Sequence, residues 1–368
     1  MTIKSKKNKQ CNTSHGKHYN MANRLFIILL VVFMIGVLGG CNSHMTDIDA
    51  TGSDIQNRPT VVCSGFSQYD WIRNILGEQL GNWNVIRLNE KGTDMHSYQP
   101  TAKDVLTIVN ADLVIYTGGV SEEWIETLVT ENPDFEGQAY CLLEKGAAKE
   151  EVTVEGMYSK GHNHEHEHAH DYENESTYDH HDSADEEHGH KDLSSYDEHI
   201  WLSPANAITF CEELSQILSL LDKSHKSTYL SNSKNYVEQL SSLQEDYKYR
   251  LGNCSKNTLI FADRFPFLYL AEDFGLKYYA AFPGCSAETE ANFDTIIFLA
   301  DKLTECKLPA LLITESSTDS MAKTIIKTSG ISTTEIYSLN SLQSVTNPET
   351  TYLKVMEKNL EILEKVLS

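Results

Sequence analysis

Residues 161–190, GHNHEHEHAHDYENESTYDHHDSADEEHGH, hold nine histidines and ten acidic side chains, with only Tyr172 and Tyr178 as larger aromatics. No apolar period survives in this run. It can neither bury a core nor hold a regular element, so any fold must be built on either side of it. Imidazole and carboxylate at this density suit first-row divalent cations. The run ends nine residues before His199 in DEHIWLSP, where an ordered pattern resumes. A metal-attracting insertion inside a folded domain points to acquisition of metal rather than to one structural ion.

The N-terminus has a different character. Lys4, Lys6, Lys7, Lys9, Lys17 and Arg24 precede any acid, and the first acidic residue is Asp47. Leu25–Leu38 is uncharged, too short for a membrane span but suited to the apolar region of a signal peptide. It closes on Leu38-Gly-Gly-Cys41, which resembles a bacterial lipobox and implies lipidation of Cys41. Several acyl chains on one cysteine anchor stably where a single chain does not. The expected division is therefore a lipoprotein signal peptide over 1–40, with Met1 or Met21 as the start, and a polar tether over 41–58. The expected location is extracytoplasmic, anchored to the cell membrane.

The chain carries a formal charge of −23, and losing residues 1–40 would remove only basic side chains. Such a surface excludes nucleic acid, whose binding rests on neutralising phosphates. The six cysteines after Cys41 include no CxxC pair, which argues against a zinc ribbon and leaves disulfides or isolated thiols open.

Beyond the tether, strand and helix patterns alternate. Thr60–Cys63 reads as a strand, Tyr69–Leu76 as a helix, Asn84–Leu88 as a strand, Thr101–Asn110 as a helix and Ala111–Tyr116 as a strand. Helix Glu122–Thr130 and strand Ala139–Leu143 complete the set. This alternation predicts a parallel sheet flanked by helices. A helical stretch opens at Ser203-Pro204, breaks near Lys223–Ser227 and continues to about Leu251. The pattern then restarts with strands Thr258–Ala262, Lys277–Ala281 and Ala310–Thr314. Helices are expected over Phe265–Phe274, Glu290–Thr304, from Ser320, and over Thr351–Val366. The predicted fold class is α/β: two lobes, each a mostly parallel sheet flanked by helices, joined by one long helix. The lobes are assigned to 59–225, with a disordered His-rich loop over 159–195, and to 253–368; the linking helix is 226–252. Ligands of such sheets sit at the C-terminal ends of the strands, here in the cleft between lobes.

Two histidines occupy that kind of position: His96 in GTDMHSYQP and His199 in DEHIWLSP. Taken singly, each is an ordinary polar-loop histidine; as a pair beside strand ends they become candidate ligands. The segments HSYQP and EHIWLSP resemble two signatures of the zinc/manganese solute-binding proteins of bacterial ABC importers. The resemblance covers about 58–368 and includes the lipobox, the linking helix and the His-rich insertion, which is similar to that of the zinc-specific branch.

That resemblance implies one metal held between the lobes and handed to a permease and its ATPase, by a monomer that catalyses nothing. It maps His96 and His199 to the N-lobe ligands and Asp319, in Thr314–Asp319, to a C-lobe carboxylate. Read from its residues alone, Asp319 begins a helix and is equally an N-cap. The remaining family position, five residues before Tyr269, is Arg264, which has no lone pair to donate. Three resolutions follow: the neighbouring Asp263 ligates, water completes the shell, or Arg264 pairs with Asp319 in the empty state. The cargo is expected to be Zn²⁺, with Mn²⁺ as alternative, because imidazole favours zinc and Mn²⁺ prefers oxygen. The run supplies auxiliary ligands at His162, His164, His166, His168, His170, His180, His181, His188 and His190. A surface adhesin or metal buffer would share the anchor and run. A zinc hydrolase is disfavoured, because no HExxH, GxSxG or evident general base accompanies the histidines.

Overall fold

The computed structural model describes residues 58–157, 195–286, 288 and 291–368. The signal segment, Cys41, all but the last residue of the tether and the nine histidines of the run lie outside the described residues. No helix among the described residues is long and apolar enough to cross a membrane.

The first lobe contains β1 (Thr60–Cys63), α1 (Phe66–Leu76), β2 (Asn84–Arg87), α2 (Ala102–Val109) and β3 (Leu113–Tyr116). It continues with α3 (Glu123–Thr130), β4 (Gln138–Cys141) and the single turn α4 (Leu142–Lys145). The four strands are parallel in the order β2-β1-β3-β4. All four residues of β3 (LVIY) are buried, as expected for a central parallel strand covered on both faces. Thr101 starts α2 through a reciprocal capping box with Asp104.

Two helices follow: α5 (Pro204–Leu221), with Ser203 as cap and Pro204 in its first turn, and α6 (Lys226–Gly252). Between them Asp222 caps a tight turn over Lys223–His225, which accounts for the break in periodicity. The long α6 buries Tyr229, Tyr236, Leu240, Leu243, Tyr247 and Leu251, a stripe at helical spacing.

The second lobe contains β5 (Thr258–Phe265), α7 (Leu268–Asp273), β6 (Lys277–Pro283), α8 (Phe293–Cys306) and β7 (Ala310–Thr314). It ends with α9 (Ser320–Ser329), β8 (Glu335–Leu339) and α10 (Tyr352–Leu367). Its strands are also parallel, in the order β6-β5-β7-β8. Both sheets share one topology, so the likeness between the halves extends from element sequence to strand order.

One difference from the sequence pattern matters for the site. β5 runs on to Phe265 through a register shift after Phe261, and α7 is shorter than the aromatic-rich segment suggests. Pro266 disfavours helical backbone at the residue before it. Phe265 and Phe267 pack with Phe261 in the core instead of lining a helix. Asp263 and Arg264 are thereby held on a strand end.

A buried carboxylate ties the halves together. Asp70 Oδ2 on α1 accepts from the Tyr236 hydroxyl of α6 at 3.2 Å and from the Tyr352 N–H of α10 at 3.0 Å. Burial raises the pKa of this carboxyl, and the two donors only partly offset it.

Candidate metal centre

His96 sits in a short 3₁₀ turn, Met95–Ser97, whose cap Asp94 accepts from the His96 N–H at 3.0 Å. His199 precedes the turn Ile200–Leu202 that leads into α5, and it is fully buried. Their Nε2 atoms face each other at 3.3 Å. Two nitrogens each about 2.05 Å from a tetrahedral zinc stand about 3.3 Å apart, so the pair is already spaced for one ion.

The outward nitrogen of each ring has its own partner. His199 Nδ1 lies 3.1 Å from Asp197 Oδ1, which also accepts the His199 backbone N–H at 2.8 Å. His96 Nδ1 lies 2.8 Å from Ser121 Oγ and 3.4 Å from Glu198 Oε2. Both Nδ1 atoms are thus engaged by oxygen partners, which leaves the two Nε2 atoms facing each other and available to a cation. Glu198 Oε2 makes no hydrogen bond, while its Oε1 accepts from the Ser121 N–H at 2.9 Å. This carboxylate fits only because residue 119 is glycine at φ +80°: a Cβ there would meet Glu198 Oε1 at 2.5 Å.

Burial lowers the His96 pKa to about 3, with the facing His199 adding to the effect. Burial also works against charging His199, but Asp197 and Glu198 outweigh it and raise its pKa.

The second lobe closes the site from the other side. Tyr269 donates its hydroxyl proton to the Asp197 carbonyl at 2.7 Å and accepts from the Lys149 N–H at 3.0 Å. Arg264 Nη2 meets Asp94 Oδ2 at 2.5 Å, and its Nη1 donates to the Ser286 carbonyl at 3.3 Å. The pairing of Arg264 with Asp319, one of the three resolutions open from the sequence, is not formed; Asp319 pairs with Lys323 at 2.6 Å on the exposed start of α9. Asp319 occupies the N-cap position there without a side-chain capping bond. Asp263 is engaged within its own lobe, its Oδ2 taking the Thr314 N–H at 3.3 Å and the Thr314 and Ser317 hydroxyls. Glu315 accepts from the Ser341 N–H and hydroxyl, supporting the loop.

The structure thus brings His96 and His199 together and leaves Asp263 and Asp319 engaged elsewhere. It adds a residue the sequence did not single out: Cys285, whose Sγ lies within 4.8 Å of both histidines. Asp197 and Cys285 also form a group with Glu151 at the same spacing. Burial among Asp197, Glu151 and Glu198 pushes the Cys285 thiol far above its usual pKa. The partners Asp197 and Glu198 stood beside His199 in DEHIWLSP, a signal in plain view; Cys285 is 86 residues further on with no motif around it.

Residues 61–366 match the family described as ZnuA, zinc-uptake complex component A periplasmic. The chain belongs to the ZnuA family. Among curated relatives, the zinc-binding lipoprotein AdcA of Streptococcus pneumoniae R6 is 28% identical over 309 residues, 83% of this chain and 55% of that protein. This ZnuA family member therefore spans about half the length of the AdcA relatives it matches. The metal ABC transporter substrate-binding lipoprotein ScbA of Streptococcus cristatus is 26% identical over 348 residues, covering 93% of this chain and 98% of ScbA. The Zn(II)-bound ZnuA-like domain of S. pneumoniae AdcA superposes with a TM-score of 0.61 at 24% identity, over 84% of this chain and 99% of that domain. That likeness establishes the two-lobed fold of ZnuA-like solute-binding proteins.

Proposed function

We propose that this protein captures Zn²⁺ outside the cytoplasm and delivers it to a membrane-embedded ABC permease with its ATPase. His96 and His199 supply the two nitrogen ligands. The observation that carries this reading is the Nε2 pair at 3.3 Å, each ring oriented through Nδ1 by an oxygen partner. Membership of the zinc-uptake family supports the cargo, and the named lipoproteins among the relatives support a lipid anchor, here through Cys41. Zinc is favoured over Mn²⁺ because the pair is imidazole, whereas Mn²⁺ prefers oxygen. The nine histidines of the run act as weaker collecting sites whose ions pass to the pair. Asp319 and Asp263 enter the ligand set only if they exchange their present partners for the metal.

Calorimetric titration of zinc into the full chain tests the reading. One tight equivalent that survives deletion of 161–190 and disappears in both His96→Ala and His199→Ala is expected. A tight site that leaves with the run and ignores both substitutions would sink it.

A further inference from the structure

We propose that Cys285 is the third protein ligand, making the interlobe centre a His₂Cys site selective for zinc. This rests on the zinc-capture reading above. Three independent contacts hold the turn that carries the cysteine. The backbone at Gly284 presses against the His199–Asp197 pair: a Cβ there would meet Asp197 Oδ2 at 2.9 Å and His199 Nδ1 at 3.3 Å. The Cys285 N–H is fixed by Glu151 Oε1 at 2.7 Å. The carbonyl of the next residue, Ser286, accepts from Arg264 at 3.3 Å. Sγ lies within 4.8 Å of a ring nitrogen of each histidine, against about 3.6 Å for sulfur and nitrogen on one tetrahedral zinc. Metal binding would draw the turn in to that spacing.

This assignment also accounts for Arg264, which stands where the family resemblance expects a ligand. Arg264 holds the turn of Cys285 through Ser286 and the turn of His96 through Asp94. It therefore acts as a positioning residue, and the ligand role moves to sulfur on the neighbouring strand end. Coordination exchanges one bond for another: the S–H bond breaks, a Zn–S bond forms, and the proton leaves to solvent with no change of oxidation state. Thiolate prefers zinc to Mn²⁺, so the substitution sharpens discrimination between the two.

Cobalt(II) and zinc titrations of the full chain and of Cys285→Ser test the assignment. Wild type should show a near-ultraviolet thiolate-to-cobalt band that is absent in Cys285→Ser. Zinc affinity of that variant should fall more than about 100-fold, beyond the loss typical of an outer-shell partner. Affinity for Mn²⁺ should change far less. Zinc should also protect Cys285 of the wild-type protein from alkylation, read by peptide mass spectrometry. That measurement decides even if the variant does not fold. Absence of both the band and the protection, with zinc binding still lost in His96→Ala and His199→Ala, would overturn the cysteine and leave zinc capture standing. Zinc binding indifferent to either histidine would overturn both.

Discussion

Arg264 Nη2 lies 2.5 Å from Asp94 Oδ2, joining the end of β5 in one lobe to the turn that carries His96 in the other. Burial works to raise the Asp94 pKa, but the guanidinium and the nearby His96 hold it below the usual carboxylate range. The other oxygen of Asp94 caps the His96 turn, so one carboxylate couples lobe contact to ligand position.

Arg264→Ala should leave that carboxylate unpaired and free the turn of Cys285. A half-buried pair is worth less than a fully buried one, so a stability loss of about 1–2 kcal/mol is expected, read by urea unfolding. Zinc affinity should fall about 10–100-fold, the range for an outer-shell partner. Arg264→Lys should not rescue it, because an ammonium cannot bridge two acceptors in a fixed fork. Affinity unchanged in Arg264→Ala would remove the positioning role.

Much of this arrangement was legible in the sequence, and the gaps have physical causes. Apolar runs such as LVIY and ALLIT marked the central strands because both faces of a parallel sheet are covered. β8 left no such trace: it is an edge strand with four of its five residues at least partly exposed. His96 and His199 stood out because their turns are short and carry caps, proline and aromatic residues in fixed spacing. Cys285 and the engagement of Asp263 by Thr314 and Ser317 depend on contacts between distant strand ends. No local pattern encodes those, and a lone cysteine after Pro-Gly reads like any isolated thiol.

Tyr269→Phe tests whether the second lobe orients His199 through Asp197. Its hydroxyl is the partner of both the Asp197 carbonyl and the Lys149 N–H in a buried setting. Removing it should cost about 1–3 kcal/mol in unfolding free energy. Zinc release, followed by stopped-flow with a chromophoric chelator, should become faster, because Asp197 then positions His199 less firmly. An unchanged release rate would mean that Asp197 is held well enough without it.

Glu122 gives the protein a pH response unrelated to metal. Its carboxylate accepts from the Thr117 and Gly118 N–H groups, yet burial raises its pKa from 4.5 to about 7. Below pH ~4.5 both folded and unfolded states hold the proton, and the group is neutral to stability. Between pH ~4.5 and ~7 the unfolded chain ionises while the folded one does not, so stability falls as pH rises. At about 1.4 kcal/mol per unit, the loss is on the order of 3 kcal/mol by pH 8. Glu122→Gln keeps an acceptor for both N–H groups and should flatten this segment of the stability profile. Denaturant unfolding at pH 5 and pH 8 measures it; equal slopes in the two proteins would refute the burial account.

Gly284→Ala probes a close approach between the lobes. A methyl group there would meet the Phe265 carbonyl at 2.8 Å and Asp197 Oδ2 at 2.9 Å, contacts that neither neighbour can relieve without moving. Overpacking of this kind costs about 1–3 kcal/mol. The displacement has two available directions. Pushing the turn of residue 284 outward carries Cys285 away from the histidines, whereas pushing Asp197 inward rotates His199. Either way the three ligand atoms separate, so zinc affinity should fall along with stability. Gly275→Ala serves as the control: its φ of +65° makes alanine costly there too, but nothing lies within 4 Å of its Cβ. That variant should lose stability and keep zinc affinity. Equal losses of affinity in the two would mean that the Gly284 effect is general destabilisation and not displacement of the ligands.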